Sequence, residues 1–252
     1  MSIDWIDDVW RQTDHRPWPM PDGRWLMTMS WVDLLALHWP VDPQSIEDRI
    51  PAGLDLDTFD GDAWLTIIPF VMDDVLPRGM SWWPKPFRFL ELNLRTYVTA
   101  GGEKPGVWFF SLDAESRLAV EGARRIFSLP YFNADMDRET GGDRTTYRSN
   151  RTHRNSASAR FVAEYGPAGP VEPSKSGSLD EWLMERYCLY SARGDEVSRC
   201  DVHHPPWPLQ PATAEIEENT LFEGFDLPVS GPPQKMHYAE RIDVLGWGLV
   251  PV

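Results

Sequence analysis

The chain has 252 residues, 42% of them hydrophobic and 12% aromatic, so it can bury a substantial core despite a formal net charge of −15. This acidic balance argues against a nucleic-acid partner and against an anionic membrane surface, because both require a surface rich in lysine and arginine. The sequence begins without a basic and apolar leader and contains no apolar run that could span a bilayer, so we expect a cytoplasmic protein.

The first part of the chain predicts strands and short turns. Its predicted elements are, in chain order, an irregular N-terminal wrap (1–23), a strand that runs into a short helical turn (24–37), a short helix (42–53), a buried strand (63–75) and a long aromatic loop (77–88). The short helix is predicted because Asp42 is a typical N-cap and Pro43 a typical first helical residue.

A strand over residues 89–98 has two faces that differ in character, because successive side chains of a strand point to opposite sides. The first face carries three leucines. The second carries polar side chains, namely Glu91, Asn93, Arg95 and Tyr97. On alternation alone a solvated face is the commoner interpretation, since antiparallel sheets often have one wet side. The alternative is that this face lines a pocket. After the turn AGGEKPG, residues 107–114 are predicted to pair with this strand.

The remainder of the chain predicts two helices and further strands. The elements are a helix (116–130), three strands (131–140, 143–151 and 157–166), a linker (166–178), a short helix (178–187) and strands up to residue 252. The first helix has apolar residues at helical spacing, namely Leu118, Ala119, Ala123, Ile126 and Phe127. The second begins with a capping box formed by Ser178 and Glu181. Strand patterns continue on both sides of the short linker, so we expect one domain over 1–252.

Cys188 and Cys200 lie on either side of Gly194 in a predicted hairpin, which would place the two thiols opposite each other. A disulfide is therefore geometrically conceivable. The absence of a leader favours free, buried thiols instead.

Candidate metal ligands occur near the second cysteine. They are Cys200, His203, His204 and, further on, His237. The C-x-x-H spacing alone is a weak signal, and adjacent histidines on a strand point to opposite faces. Motifs for a serine nucleophile, a dinucleotide or a P-loop do not occur. We therefore expect no metal and no cofactor.

Four segments together resemble the YqjF family of uncharacterised proteins, namely FLELNLRTYV, GVWFFSLDA, ARRIFSLPYFNADM and SLDEWLMERYCLYS. The resemblance covers residues 25–252. It implies the fold of the acetoacetate decarboxylase superfamily, an α+β and mainly antiparallel conical β-barrel with a few packed helices around a ligand cavity. It also implies that Glu91 points into this cavity, which favours the second interpretation of the polar face.

The sequence departs from that superfamily at the reacting residue. The resemblance places the catalytic lysine at Tyr131 and the lysine that tunes it at Phe132. Schiff-base chemistry requires a primary amine, which neither residue supplies. The four lysines of the chain lie in loops or at the start of a strand, at Lys85, Lys104, Lys175 and Lys235. We therefore expect no acetoacetate decarboxylation through a Schiff base.

The candidate site combines the polar face with residues placed by the resemblance. The candidate ligand-binding residues are Arg95, Arg124, Asn93 and Tyr97, and the candidate catalytic residues are Glu91 and Tyr131. Arg124 is chosen over its neighbour Arg125 from the resemblance alone, because the helix register does not decide between them. Tyr131 could donate a hydrogen bond where the amine would have been, but a tyrosine that merely packs in the wall fits the sequence equally well.

Two functional hypotheses follow. The first is a barrel that binds a small carboxylate or carbonyl compound without catalysis. The second is a lyase or hydratase that uses Glu91 as a general acid/base without a lysine intermediate. The expected partner is a small organic ligand, and a homo-oligomer is an open alternative because relatives of the implied fold commonly assemble.

Overall fold

The computed structural model describes residues 4–80 and 86–252. In this part of the chain, strands dominate and three short α-helices lie between them. The strands are β1 (Met27–Val41), β2 (Asp55–Leu56), β3 (Ala63–Pro77), β4 (Phe87–Ala100), β5 (Glu103–Ala114), β6 (Tyr131–Gly141), β7 (Arg144–Arg151), β8 (Arg160–Pro167), β9 (Cys188–Arg193), β10 (Glu196–His203), β11 (Gln210–Asn219) and β12 (Lys235–Pro251). The helices are α1 (Ile6–Arg11), α2 (Arg117–Ile126) and α3 (Leu179–Met184), and 3-10 turns cover Pro43–Ser45, Glu47–Arg49 and Glu223–Phe225.

The described strands close into rings through their pairings. One ring has nine strands in the order β5-β6-β7-β8-β11-β12-β1-β3-β4, and β4 pairs back onto β5. A second path from β5 to β12 runs through β9 and β10. Most pairings are antiparallel, but β5 pairs in parallel with both β6 and β9. The strands β12, β1, β3, β4 and β5 therefore belong to both rings, and both faces of their central parts are largely buried.

Each face of these shared strands packs in its own apolar cluster. We call one cluster the Tyr131 core, which includes Phe70, Tyr97, Leu112, Tyr131 and Val202. We call the other the Leu92 core, which includes Leu37, Leu65, Leu92, Leu94 and Phe161. Because a strand alternates its side chains, β4 contributes its leucines to the Leu92 core and its polar face to the Tyr131 core.

The helical turn predicted within 24–37 is wrong, because β1 runs as one strand from Met27 to Val41. Its register with β3 shifts between Val32 and Leu37, while pairing with β12 continues on both sides. Asp33 lies at the shift with φ of +52°, a left-handed conformation that aspartate tolerates better than most residues. The shift is thus a bulge that bends the strand without ending it.

The two short elements predicted before β3 also differ from expectation. The N-terminal wrap contains a helix, α1, whose Val9 packs against Leu245 and Trp247. The helix predicted over 42–53 is instead two 3-10 turns, although Asp42 does accept a hydrogen bond from the Gln44 amide at 2.9 Å. Ile50 is extended at ψ of 131° because it precedes a proline, which disfavours the helical region and ends the second turn.

The helix α2 buries a different stripe from the predicted one. Ser116 caps its first turn, but Val120 is the buried residue of the helix and Ala119, Ala123 and Phe127 are only partly buried. Leu118 and Ile126 are 78% and 61% exposed, because they lie on the side of the helix opposite Val120. Leu118 and Ile126 are therefore surface residues and not part of the packed face.

The structure tests two further predictions, the cap of α3 and the hairpin that carries the two cysteines. The N-cap of α3 is confirmed, since Ser178 accepts from the Glu181 amide. The second bond of a capping box is replaced, because the Glu181 carboxylate accepts from the Gly177 amide instead of the Ser178 amide. The hairpin forms, but Cys188 lies opposite Asp201 and Cys200 opposite Leu189, so the two thiols point to different faces. Both cysteines are free and buried.

The aromatic loop predicted over 77–88 is bounded by the end of β3 at Pro77 and the start of β4 at Phe87. Residues 81–85 of that loop lie outside the described residues. None of the helices in the described part of the chain is both long and apolar enough to cross a membrane.

Candidate functional site

The polar face of β4 is buried in the Tyr131 core. Directly opposite residues of an antiparallel pair share a face, and Glu91 lies opposite Phe70 of β3 and Ala114 of β5. Glu91, Asn93, Arg95 and Tyr97 are all buried, the most accessible being Arg95 at 7% exposed. The solvated-face interpretation is therefore wrong, because all four side chains are buried.

Glu91 and Tyr131 form a hydrogen-bonded pair within this core. The Tyr131 hydroxyl donates to Oε2 of Glu91 at 2.8 Å. Burial raises the pKa of Glu91 to about 8, although hydrogen bonds from Tyr131 and Asn93 act in the opposite direction. At neutral pH most molecules therefore carry Glu91 as a neutral carboxylic acid, which can both donate and accept a hydrogen bond.

Arg95 lies further along the same face without a carboxylate. Its guanidinium donates to the Leu183 carbonyl at 3.2 Å, and its carbon atom Cζ lies 5.5 Å from the centroid of the Tyr97 ring. Among the described residues no carboxylate lies within salt-bridge distance of Arg95, and its Nε has no hydrogen-bond partner.

Arg186 approaches the same tyrosine ring from just beyond the end of α3. Its Cζ lies 4.9 Å from the Tyr97 centroid, and its guanidinium donates to Oδ2 of Asp57 at 2.6 Å. Two guanidinium groups thus lie beside Tyr97, and only that of Arg186 is bonded to a carboxylate. The result is a buried excess of positive charge at one end of the polar face.

A chain of hydrogen bonds that sequence reasoning missed leads from Tyr97 toward the surface. The Tyr97 hydroxyl lies 2.7 Å from Oγ1 of Thr66, which lies 2.8 Å from Nδ1 of His38. His38 Nε2 lies 3.0 Å from Nδ1 of His237, and His237 Nε2 lies 2.9 Å from Oδ1 of Asp180. These hydrogen bonds therefore connect the fully buried Tyr97 with Asp180, an aspartate whose side chain is 32% exposed.

His38 and Asp180, two members of this series of hydrogen bonds, differ in charge. Burial holds the pKa of His38 well below its usual value, and the nearby His237 and Arg95 add to this effect. The hydrogen bond from His237, helped by Lys235, lowers the pKa of Asp180 to about 2. A neutral imidazole therefore lies deep in the core and an ionised carboxylate lies near the surface.

Arg124 is not brought together with Arg95. Its side chain is exposed, and its Nη1 donates to the backbone carbonyl of Tyr131 at 2.6 Å. The reason is that α2 packs mainly against β6 rather than over the polar face of β4. Arg124 instead lines a surface depression together with Phe132 and Arg151.

The candidate metal ligands are dispersed. His203 Nε2 donates to the Val9 carbonyl at 2.8 Å, His204 Nε2 lies 3.2 Å from the Arg186 carbonyl, and His237 belongs to the chain from Tyr97. No group of three histidine, cysteine or acidic side chains with metal-binding geometry occurs within residues 4–80 and 86–252.

The fold defines the class of protein to which this chain is similar. Acetoacetate decarboxylase from Legionella pneumophila superposes with a TM-score of 0.62 over 98% of this chain and 95% of that one, at 13% identity. The enduracididine biosynthesis enzyme MppR complexed with pyruvate superposes with a TM-score of 0.59 over 94% of this chain and 93% of that one, at 11% identity. These likenesses show an acetoacetate decarboxylase-like fold.

The sequence itself matches a family. The family DUF2071, described as an uncharacterized conserved protein, matches residues 28–243. The chain is also 47% identical over 232 residues to the uncharacterized protein YqjF of Bacillus subtilis strain 168, and this match covers 91% of this chain and 94% of that protein. The chain belongs to the DUF2071 family, which confirms the resemblance seen in the sequence.

Proposed function

We propose that the strand rings form a conical barrel whose hollow, on the Tyr131 core side, binds a small carboxylate or carbonyl compound. Arg95 would hold the carboxylate, and Asn93, Tyr97 and the Glu91–Tyr131 pair would contact the rest of the ligand. The observation that carries this proposal is the buried guanidinium of Arg95, for which the described residues supply no counter-ion within salt-bridge distance.

The charge balance supports an anionic ligand. Arginine stays protonated in proteins, and a buried charge without a partner costs several kcal/mol. Glu91 does not neutralise Arg95 at neutral pH, because its own pKa is raised to about 8 by burial. Asp57 is already bonded to Arg186. A ligand carboxylate would supply the missing charge and could bind the guanidinium in a bidentate manner.

Buried polar atoms without hydrogen-bond partners in the same core also support a bound ligand. Among the described residues, Asn93 Oδ1 and the indole N–H groups of Trp31, Trp64 and Trp207 are buried without a hydrogen-bond partner. All four side chains border the Tyr131 core. Buried polar atoms normally have partners, so a polar ligand in the hollow would satisfy groups that the chain itself leaves open.

The fold comparisons support the ligand class at the level of analogy. MppR, which shares the fold, has been captured with pyruvate, a compound with one carboxylate and one carbonyl group. One fold hosts many activities, so this likeness suggests a probe and not a substrate.

We infer that the protein binds this ligand without forming a covalent bond to it. Tyr131 stands at the first residue of β6, where the resemblance places the lysine. Lys175 is exposed, Lys104 is the partly exposed second residue of β5, and Nζ of Lys235 is bonded to Asp180 at 2.5 Å. Lys85 lies outside the described residues. Treatment with pyruvate and borohydride should leave the intact mass unchanged, and a lysine adduct would contradict this inference.

Calorimetric titration with pyruvate tests the binding proposal. We expect saturable binding that weakens by about tenfold or more in Arg95→Gln, because a charged hydrogen bond is worth roughly 1.5–3 kcal/mol. Arg160→Gln is the matched control, since Arg160 is an exposed arginine paired with Glu218 on the surface. Equal affinity of Arg95→Gln and the wild type would rule out Arg95 as the anchor.

A second candidate function is favoured by the state of Glu91. A carboxyl group with a pKa near 8 can give and take protons at neutral pH, as a lyase or hydratase requires. The series of hydrogen bonds from Asp180 to Tyr97 offers a route for protons between solvent and the same core. If this function holds, the protein should catalyse exchange of the pyruvate methyl protons for deuterium in D2O, and Glu91→Gln should abolish the exchange. Binding without exchange would leave the non-catalytic function.

A further inference from the structure

A surface depression lies beside α2, where the start of β6, the end of β7 and the 3-10 turn at Glu223–Phe225 meet. Its cavity volume is about 300 Å³. The residues that matter for its chemistry are Arg124, Phe132, Arg151, His153, Arg154 and Phe225. We propose that this depression is a second binding site, separate from Arg95, that takes a phosphomonoester attached to a flat ring.

The depression is positively charged although the protein is strongly acidic. No aspartate or glutamate among the described residues lines it. Arg151 is neutralised by Asp113, with distances of 2.7 and 3.1 Å between guanidinium nitrogens and carboxylate oxygens. Within the described ranges Arg124 and Arg154 have no carboxylate within salt-bridge distance, because the nearby Glu121 pairs with Arg125 at 3.3 Å. Two unpaired guanidinium charges remain, in a chain of formal net charge −15.

His153 adds a neutral donor to these charges. The backbone N–H of Asn133 donates to Nδ1 of His153 at 3.2 Å, which places the ring proton on Nε2. Within the described residues Nε2 has no hydrogen-bond partner. Burial and the adjacent Arg124 lower the pKa of His153, which keeps the ring neutral at physiological pH.

Two aromatic rings give the depression an apolar wall. Phe132 packs edge-to-face against His153 with ring centroids 5.5 Å apart, and Phe225 also lines the depression. The buried Arg151 holds this wall in place, since its Cζ lies 4.2 Å from the Phe132 centroid and 5.8 Å from that of Phe225. A flat ring can pack against these side chains while its oxyanion reaches the arginines.

The number of charges selects a phosphomonoester over a carboxylate. A phosphomonoester carries close to two negative charges at neutral pH, which matches the two unpaired guanidinium groups, whereas a carboxylate carries one. The volume of about 300 Å³ suits a molecule with one ring and one such group.

Titration with phenyl phosphate tests the proposal by calorimetry and by amide chemical shifts. We expect saturable binding whose shift changes centre on His153, Asn155 and Phe225. Arg154→Gln should weaken binding about tenfold, because it removes one of the two charges. Arg154 makes no hydrogen bond or ion pair among the described residues, so this variant should fold normally. Arg148→Gln, which removes an exposed arginine paired with Asp137, should change affinity less than about twofold.

Other probes decide the ligand class. Benzoate and inorganic phosphate should each bind more weakly than phenyl phosphate, since one lacks a charge and the other lacks the ring. Tighter binding of benzoate would overturn the assignment to phosphates, and equal binding of inorganic phosphate would overturn the role of the rings. Equal weakening by Arg154→Gln and Arg148→Gln, shift changes elsewhere, or no saturation at tens of millimolar phenyl phosphate would each contradict the site itself.

Discussion

Arg95 places a permanent positive charge in the Tyr131 core, and among the described residues no carboxylate lies within salt-bridge distance of it. Methionine has a similar length and no charge, so Arg95→Met removes the buried charge while it keeps most of the packing. We expect this variant without ligand to be more stable than the wild type by roughly 1–2 kcal/mol, measured by urea unfolding.

Arg186→Met provides the contrast, because its guanidinium is bonded to Asp57 and the change would leave that carboxylate without its partner. We expect it to destabilise the protein. If Arg95→Met were as destabilising as Arg186→Met, Arg95 would be compensated within the chain and the case for an anionic ligand would fail.

Glu91 makes stability depend on pH in a direction that can be worked out. Its pKa rises from the usual 4.5 of a solvated glutamate to about 8 in the folded protein, so the folded state holds the proton more tightly than the unfolded state. The contribution of Glu91 to stability is therefore fully present below pH 4.5 and is lost as pH rises toward 8, at up to about 1.4 kcal/mol per pH unit.

Glu91→Gln should not show this loss, because glutamine does not titrate. Unfolding measured from about pH 5 to about pH 8 should find the wild type losing stability relative to the variant as pH increases. Parallel profiles for the two proteins would mean that the Glu91 carboxyl is already ionised in the core.

At the residue scale, the sequence predicts the polar face of β4 but not its surroundings. Alternation places Glu91 and Arg95 on one face, and only the resemblance indicates that this face is buried. The resemblance also places Arg124 in the same site, but Arg124 lies elsewhere, since its direction depends on how α2 packs. His38 is not predictable, because a single histidine between apolar residues gives no signal until His237 is brought beside it by strand pairing.

Among the elements, β5 carries a glycine, Gly106, where it pairs in parallel with β9. A Cβ added to Gly106 would lie 2.6 Å from the Cys188 sulfur and 2.7 Å from the Cys188 carbonyl. We therefore expect Gly106→Ala to cost roughly 1–3 kcal/mol of stability, because the backbone of β9 must move to admit the methyl group. Gly248→Ala on β12 is the control, since a Cβ there meets no described atom within 4 Å. Similar Tm values for the two variants would show that the two strands are not packed this closely.

The sequence predicts features that depend on residues close together in the chain. It does not predict features that depend on contacts between residues far apart in the chain. The cap of α3 depends on Ser178 and Glu181, which are neighbours in sequence. The bulge in β1 depends on Asp33, whose carboxylate accepts from Arg138 at 2.6 Å and from Tyr238 at 2.9 Å, both far along the chain. The hairpin at Gly194 forms as predicted, but a register one residue away from the assumed centre separates the two thiols.

At the scale of the whole molecule, the shared strands tie the rings together. Five strands belong to both rings, so the pairings from β12 through β1, β3 and β4 to β5 are common to the two rings. We therefore propose that residues 1–252 unfold as one domain. Far-UV circular dichroism and tryptophan fluorescence should give coincident urea transitions, and two separated transitions would show independent units.

The closure of the rings could not be read from periodicity. The sequence predicts most strands and the meander of β6, β7 and β8, because turns between antiparallel neighbours are short. The parallel pairings of β5 with β6 and β9 join segments far apart in sequence and leave no local signal. The resemblance to a family supplies this part of the architecture, and the match to residues 28–243 confirms the family.

A crystal structure of the protein with pyruvate would show whether Arg95 anchors an anionic ligand. We expect a pyruvate carboxylate about 3 Å from the guanidinium of Arg95, with the carbonyl group toward Asn93 or Glu91. A molecule of pyruvate found only beside Arg124 and Arg154, or a Tyr131 core that stays closed at saturating pyruvate, would contradict it.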